Sequence, residues 1–340
     1  MNRKIVDGFV GAIGNTPLIR LRKASERTGC EILAKAEFLE PGGSIKDRTA
    51  LFLIDDGERR GLLRPGGIVI EGTAGNTGIG LALVANARGY RTIIVIPETQ
   101  SREKKDLLRL YGADVREVPA APFRDPGNYV HVAERLAAEL AEREPNGAFY
   151  ANQWDNLANR EGHRASTGPE IWQQTGGRVD GFVCAIGTGG TLAGISSYLK
   201  SVHPRVRTAA ADPPGAAMYS WFKHGRLEAS GNSITEGIGL GRVTANVDGA
   251  PIDDAYRIED AEALEIVFEL LHDEGLCVGG SSGVNVAGAI RLARDLGPGH
   301  TVVTVLADSG HRYRSKLFDP AFLKARALPV PSWLDGGAAS

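Results

Sequence analysis

The sequence predicts an α/β protein of two domains, each with a mainly parallel sheet flanked by helices. Three observations predict it. Short Val/Ile-rich runs alternate with helical stretches along all 340 residues. Those runs are almost continuously apolar, as in strands covered on both faces. Glycine, at 44 residues, is well above its usual ~7% share. It collects in the turns that follow strands, where such sheets bind ligands.

Taken in order, 31–36 reads as a strand, and 67–71 (GIVIE) as a strand leading through a Gly-rich turn into a helix over 76–88. The run 92–96 (TIIVI) is a strand, and 101–111 a helix capped by Ser101. Further strands are expected at 147–150, 179–186, 208–211 and 301–306, with helices over 191–200, 260–274 and 282–296. The stretches 120–128 and 212–237 read as Pro/Gly-rich loops. The second carries Tyr219, Trp221 and Phe222, a patch suited to packing, to a subunit interface or to covering a site.

The totals exclude several classes. A formal charge of -2 gives no electrostatic case for nucleic acid or an anionic membrane. No apolar run reaches the ~18 residues of a membrane helix, and the first residues lack a signal-peptide core. A cytoplasmic protein is therefore expected. Cys30, Cys184 and Cys277 form no CxxC pair, and the seven histidines form no HExxH, so neither disulfides nor a metal site are expected.

Lys46, in EPGGSIKDRTA, follows a Gly-Gly-Ser turn and opens a run of helix formers, with Ser44 where an N-cap would sit. An amine held there beside backbone N–H groups suits a lysine that binds a carbonyl compound next to an anion. The alternative is an ordinary surface lysine. Four glycine-rich stretches compete in the same way with plain turns. EGTAGNTGIG (71–80) offers Thr73, Asn76 and Thr77 beside bare backbone at Gly75, as a carboxylate or phosphate turn would. GTGGT (187–191) opens a helix and makes a phosphate cradle, without the Lys of a Walker loop. Gly187, Gly189 and Asp212 approach a dinucleotide fingerprint, but Leu192 replaces its third glycine, which leaves a nicotinamide oxidoreductase as a remote alternative. GLCVGGSSG (275–283) offers Ser281 and Ser282, hydroxyls able to hydrogen-bond a pyridine nitrogen without protonating it.

EPGGSIKDR, EGTAGNTGIG, ANQWDNLAN, AIGTGGTLAG and EGLCVGGSSG occur in one order, between GNTPLIRL (14–21) and DSGHRYRSK (308–316). In this the chain resembles the cysteine synthase and cystathionine β-synthase family, the pyridoxal-phosphate enzymes of fold type II, similar to tryptophan synthase β. The resemblance implies pyridoxal 5'-phosphate as cofactor and Lys46 as the residue that binds it covalently and later carries the α-proton. It implies Asn76 at the ring hydroxyl, Gly187, Thr188, Gly189, Gly190 and Thr191 at the phosphate, and Ser281 at the pyridine nitrogen. Thr73, Ala74, Gly75, Asn76 and Thr77, with Gln153, would bind the substrate carboxylate, and Gly237 would lie near the cofactor and help sense closure.

The implied reaction is β-replacement through an aminoacrylate. Cysteine synthesis from O-acetylserine and sulfide comes first, with cysteine desulfuration and cystathionine formation as alternatives. The implied partners are a small amino acid with sulfide or a thiol, and a second subunit in a homodimer. The family's carboxylate loop usually carries Ser where Ala74 stands, which is expected to retune substrate choice. The division expected from the motifs is a smaller mobile domain over 45–151, a larger one from 1–44 plus 152–325, and a tail over 326–340. The chain is not expected to carry the tandem regulatory domains or the haem-binding extension of some relatives.

Overall fold

The structure, a computed structural model, describes residues 5–336. They form two compact units. One takes the residues up to Gly14 with Glu40–His163; the other takes Asn15–Leu39 and the residues from Arg164 onward.

The first unit has a four-stranded sheet of β3 (Ile68–Gly72), β4 (Arg91–Pro97), β5 (Asp114–Val118) and β6 (Ala148–Tyr150), in the order β5-β4-β3-β6, parallel throughout. Parallel neighbours require crossovers, and helices supply them. Helices Lys46–Arg59 and Asn76–Arg88 bury Leu53, Ile54, Leu81 and Val84 with Val69 and Phe149. Helix Tyr129–Ala141 covers Ile68, Ile70, Ile93 and Val95 with Ala133 and Ala137. β5 (DVREV) is a largely exposed edge, where charge discourages pairing with another chain.

The second unit has β1 (Leu18–Arg20), β2 (Glu31–Ala36), β7 (Gly181–Ala185), β8 (Arg207–Asp212), β9 (Asp254–Arg257) and β10 (Thr301–Leu306), in the order β1-β2-β10-β7-β8-β9. β1 runs antiparallel to β2 and every other pairing is parallel. Its core joins Ile32, Val183, Ala209, Val302 and Leu306 to Val286, Leu292 and their neighbours on the almost wholly buried helix Gly280–Leu296. The Asn285 amide donates to the Val305 carbonyl (2.7 Å) and accepts the Ala185 N–H (2.6 Å), which ties that helix to β10 and β7.

Both sheets are thus mainly parallel and helix-covered, as expected. β1 and β2 pair into the larger sheet, in keeping with the expected division, but the unit edges differ: the residues up to Gly14 and Glu40–His163 go with the smaller sheet, where Glu40 pairs with Arg48 and Asn159 hydrogen-bonds Thr49 (3.1 Å). The segment 212–237 is not all loop. It contains the helix Met218–His224, which carries the three aromatics. Of the expected tail, Leu328, Val330 and Leu334 pack against Leu264, Phe268, Leu317 and Leu323. Among the described residues no helix is long and apolar enough to cross a membrane.

Candidate active site

Each unit gathers one set of the residues singled out from the sequence, at the carboxyl ends of its strands. In the first unit Lys46 is the first residue of helix Lys46–Arg59 and is half-buried. Ser44 is not the N-cap: Ile45 holds that place. Two residues ahead of the lysine, the Ser44 hydroxyl instead accepts the Lys46 N–H at 3.3 Å.

Buried charges hold the turn before Lys46. Asp47 accepts the Gly42 N–H at 2.5 Å. Arg48, with 1% of its side chain exposed, pairs with the fully buried Glu40 at 2.8 Å, and Glu40 also accepts the Gly14 N–H at 2.9 Å. A buried carboxylate with a guanidinium and a backbone donor is satisfied on several sides, so the loop is firmly fixed. Helix Asn76–Arg88 closes on the same point, because a Cβ on Gly80 would lie 2.7 Å from the Lys46 carbonyl oxygen.

The loop after β3 leads into that helix. The Thr73 hydroxyl accepts the Gly75 N–H at 3.3 Å, and Asn76 and Thr77 fill the first turn. The first N–H groups of any helix have no acceptor within it, and the helix dipole favours an anion there. The Thr77 hydroxyl donates to Gln153 Oε1 at 2.5 Å, so loop and Gln153 form one assembly. Asn159 donates to the Gln153 carbonyl at 2.9 Å and supports it from below. Ala74 is half-buried and packs towards Ile79, Ile94 and Leu108.

Sequence reasoning assigned nothing to Glu71, which is fully buried beneath this loop and accepts the Gln153 N–H at 3.3 Å. Burial pushes its carboxyl up to about 8, against hydrogen bonds from Gln153 and the Asn152 backbone. One acid at the end of an otherwise apolar strand, GIVIE, was the available signal.

In the second unit, Gly187–Thr191 lies between β7 and helix Gly190–Val202, whose first turn holds no acid. Gly189 caps the helix at φ 95°, a conformation that glycine adopts without strain. The segment 244–247, which the sequence did not flag, closes over the loop. The Thr244 hydroxyl donates to the Thr188 carbonyl at 2.8 Å, and a Cβ on Gly189 would meet Val247 Cγ2 at 2.1 Å. The Gly237 carbonyl packs on Gly187, 2.4 Å from where a Cβ would stand. The result is a glycine-rich helix start flanked by the small side chains of Thr188 and Thr191, suited to a phosphate.

Ser281 and Ser282 both lie in the first turn of helix Gly280–Leu296. Ser282 accepts the Ala307 N–H at 3.0 Å, a structural bond. Ser281, 8% exposed, has no such bond among the described residues. A glycine-rich phosphate cradle and a neutral hydroxyl fit a phosphorylated pyridine. Asp212, the acid of the dinucleotide alternative, is buried and accepts the Tyr219 N–H at 2.8 Å. Burial raises its carboxyl to about 6, and its place is at the start of helix Met218–His224.

The chain is similar to known proteins. The chain is 54% identical to cysteine synthase 1 of Neurospora crassa over 329 residues, covering 95% of this chain and 86% of that one. It is similar to a crystal structure of O-ureido-L-serine synthase, with TM-score 0.83 and 36% identity over 93% of this chain and 96% of the other. It is also similar to that of an O-acetylserine dependent cystathionine β-synthase from Helicobacter pylori, with TM-score 0.81 and 34% identity over 92% and 98%. The family model for pyridoxal-phosphate dependent enzymes matches residues 10–308, and the chain belongs to that family, in its cysteine synthase and cystathionine β-synthase branch.

Proposed function

We propose that this chain is a cysteine synthase that replaces the β-substituent of O-acetylserine with sulfide, giving L-cysteine and acetate. The observation that carries this reading is the pair of serines at the start of helix Gly280–Leu296. One is used by the protein and one, Ser281, is left as a neutral hydroxyl. A hydroxyl cannot hold a pyridine nitrogen protonated as an acid would. It therefore favours departure of a β-substituent over prolonged storage of charge in the ring.

Pyridoxal 5'-phosphate, when bound, supplies an electron sink for the substrate's α-carbon. The chain's own residues do the rest. Gly187, Thr188, Gly189, Gly190 and Thr191 would hold the phosphate through backbone N–H groups and hydroxyls. Lys46 would bind the aldehyde through Nζ and, once displaced by the substrate amine, take the α-proton at the same atom. Asn76 would donate to the ring hydroxyl oxygen. Thr73, Ala74, Gly75, Asn76, Thr77 and Gln153 would receive the substrate carboxylate at the helix start. Gly237, against Gly187, would register closure over the cofactor.

The test is an assay of purified protein with O-acetylserine and sulfide, beside L-serine with homocysteine and L-cysteine alone. Cysteine formation should be the fastest of the three. The violet absorbance of the bound cofactor should vanish in Lys46→Ala. Faster sulfide release from L-cysteine, or faster cystathionine formation, would replace the synthase reading with a desulfhydrase or cystathionine β-synthase. Sedimentation tests the homodimer that the reading carries with it.

A further inference from the structure

Glu71 is a buried acid with no part in the chemistry above. It ends β3, is fully buried, and its Oε1 finds no hydrogen-bond partner among the described residues. Its Oε2 accepts the Gln153 backbone N–H at 3.3 Å, and the Gln153 side chain and the Asn152 backbone lie near enough to favour the ionised carboxyl. Asn152 itself stands at φ 49°, a conformation that costs a non-glycine residue energy and persists only where the surroundings impose it. Two successive residues are therefore wrapped around one carboxyl group.

The Gln153 amide has two chemically different ends. The Thr77 hydroxyl, 2.5 Å away, donates to Oε1, so that end is fixed as the acceptor. The Gln153 side chain also favours the ionised form of Glu71, as a donor does, and Nε2 is its only donor. We propose that Glu71 is a positioning residue for substrate recognition: it orients the Gln153 amide, against Thr77, so that an N–H is presented to the α-carboxylate of the incoming amino acid. The inference rests on reading Thr77 and Gln153 as carboxylate-binding residues.

The surroundings keep Glu71 neutral while it does this. β4 places Ile94 opposite it, the end of β6 continues into the uncharged Ala151, Asn152 and Gln153, and helix Tyr129–Ala141 contributes the Tyr129 phenol, itself raised by burial and by Glu71. A neutral carboxyl still accepts from Gln153. It also adds no negative charge beside a site built for a carboxylate. An apolar residue of similar size would take away the acceptor of the Gln153 backbone N–H and with it one of the contacts that set the amide against Thr77.

The experiment compares two probes on purified holoenzyme, each followed by the shift it causes in cofactor absorbance. L-alanine carries the α-carboxylate but no leaving group, and ethylamine is the same molecule without the carboxylate. Glu71→Leu should weaken L-alanine about tenfold or more, the effect of losing a hydrogen bond to a charged group, and leave ethylamine unchanged. Glu71→Gln, which keeps an oxygen acceptor, should recover most of that loss and remains usable if the leucine variant does not fold. Equal weakening of both probes in the variants would mean a merely structural role and overturn the proposal, as would no weakening of L-alanine in either. Thr77→Val and Gln153→Ala separate the two levels. If they weaken L-alanine selectively while the Glu71 variants do not, only the role of Glu71 falls. If they do not, the carboxylate reading falls with it.

Discussion

Gly80 stands against Lys46 with no room for a side chain: a Cβ there would lie 2.7 Å from the Lys46 carbonyl oxygen and 3.2 Å from the Ala50 Cβ. Backbone cannot turn aside as a flexible side chain can. Gly80→Ala gains up to ~1 kcal/mol of helix propensity, but the overpacking costs about 1–3 kcal/mol. It should also displace the helix start that carries Lys46. Misplacement by about 1 Å is enough to lower turnover ~100-fold. Thermal melting and steady-state rates on O-acetylserine check this, and a variant with normal turnover would show that Lys46 is not held by that helix.

The Glu40–Arg48 pair makes a second demand on the same loop. Both side chains are buried, and Glu40 also serves the Gly14 N–H. Removing one partner leaves an uncompensated buried charge, so Arg48→Met should cost about 3–5 kcal/mol in denaturant unfolding. Arg48→Met with Glu40→Leu, which removes both charges, should be less damaging than the single change. Additive losses would mean that the two charges do not stabilise one another.

Gly189→Ala tests the phosphate cradle. Its φ of 95°, and a Val247 methyl 2.1 Å from where the alanine Cβ would stand, leave the new side chain no relaxed position. The left-handed backbone alone costs about 1–2 kcal/mol, and relief must come by moving the loop. The expected result is protein purified with less cofactor per chain, and a dissociation constant for pyridoxal phosphate raised at least tenfold in equilibrium dialysis. Full occupancy in the variant would place the phosphate elsewhere.

Elements whose signal is local were legible in the sequence. β2, β10 and the helices Asn76–Arg88 and Asp260–Glu274 fall where apolar patterning put them, and the glycine loops sit at strand ends as composition implied. β1 was not legible: three residues become a strand only because Leu18 and Arg20 pair with Lys35 and Leu33 of β2. β5 was hidden by its polarity, since an exposed edge carries no apolar run. In the candidate site, the glycines and hydroxyls of each loop were visible, but what presses on them was not. Val247 against Gly189, Thr244 on Thr188 and Glu71 beneath Gln153 are contacts between distant positions, and no local pattern announces them.

Ala74 lies in the carboxylate loop and packs towards Ile79, Ile94 and Leu108. Ala74→Ser adds a hydroxyl at this half-buried place. If that hydroxyl reaches the substrate, the gain of a hydrogen bond to a charged group is ~1.5–3 kcal/mol. The ratio of rates on O-acetylserine, L-cysteine and L-serine with homocysteine should then shift by tenfold or more. Unchanged ratios would show that substrate choice is set by other residues.

Glu71 also makes a claim about stability and pH. Its folded carboxyl titrates at about 8, against an ordinary value of 4.5 for the free group. The folded state therefore binds a proton that the unfolded state has released. Stability from this group is fully present below about 4.5 and is lost as pH rises towards 8, at about 1.4 kcal/mol per pH unit. Above 8 the loss levels off, because both states are then ionised. Glutamine in its place does not titrate. The stability of Glu71→Gln relative to the native protein should thus rise steadily from pH 5 to pH 8 and stay constant beyond, whatever the remaining carboxylates contribute to both. Urea unfolding of the two proteins across that range measures the difference. A gap that does not change with pH would mean that Glu71 is ionised in the folded chain, and with it would go the neutral carboxyl on which the orientation of Gln153 is argued.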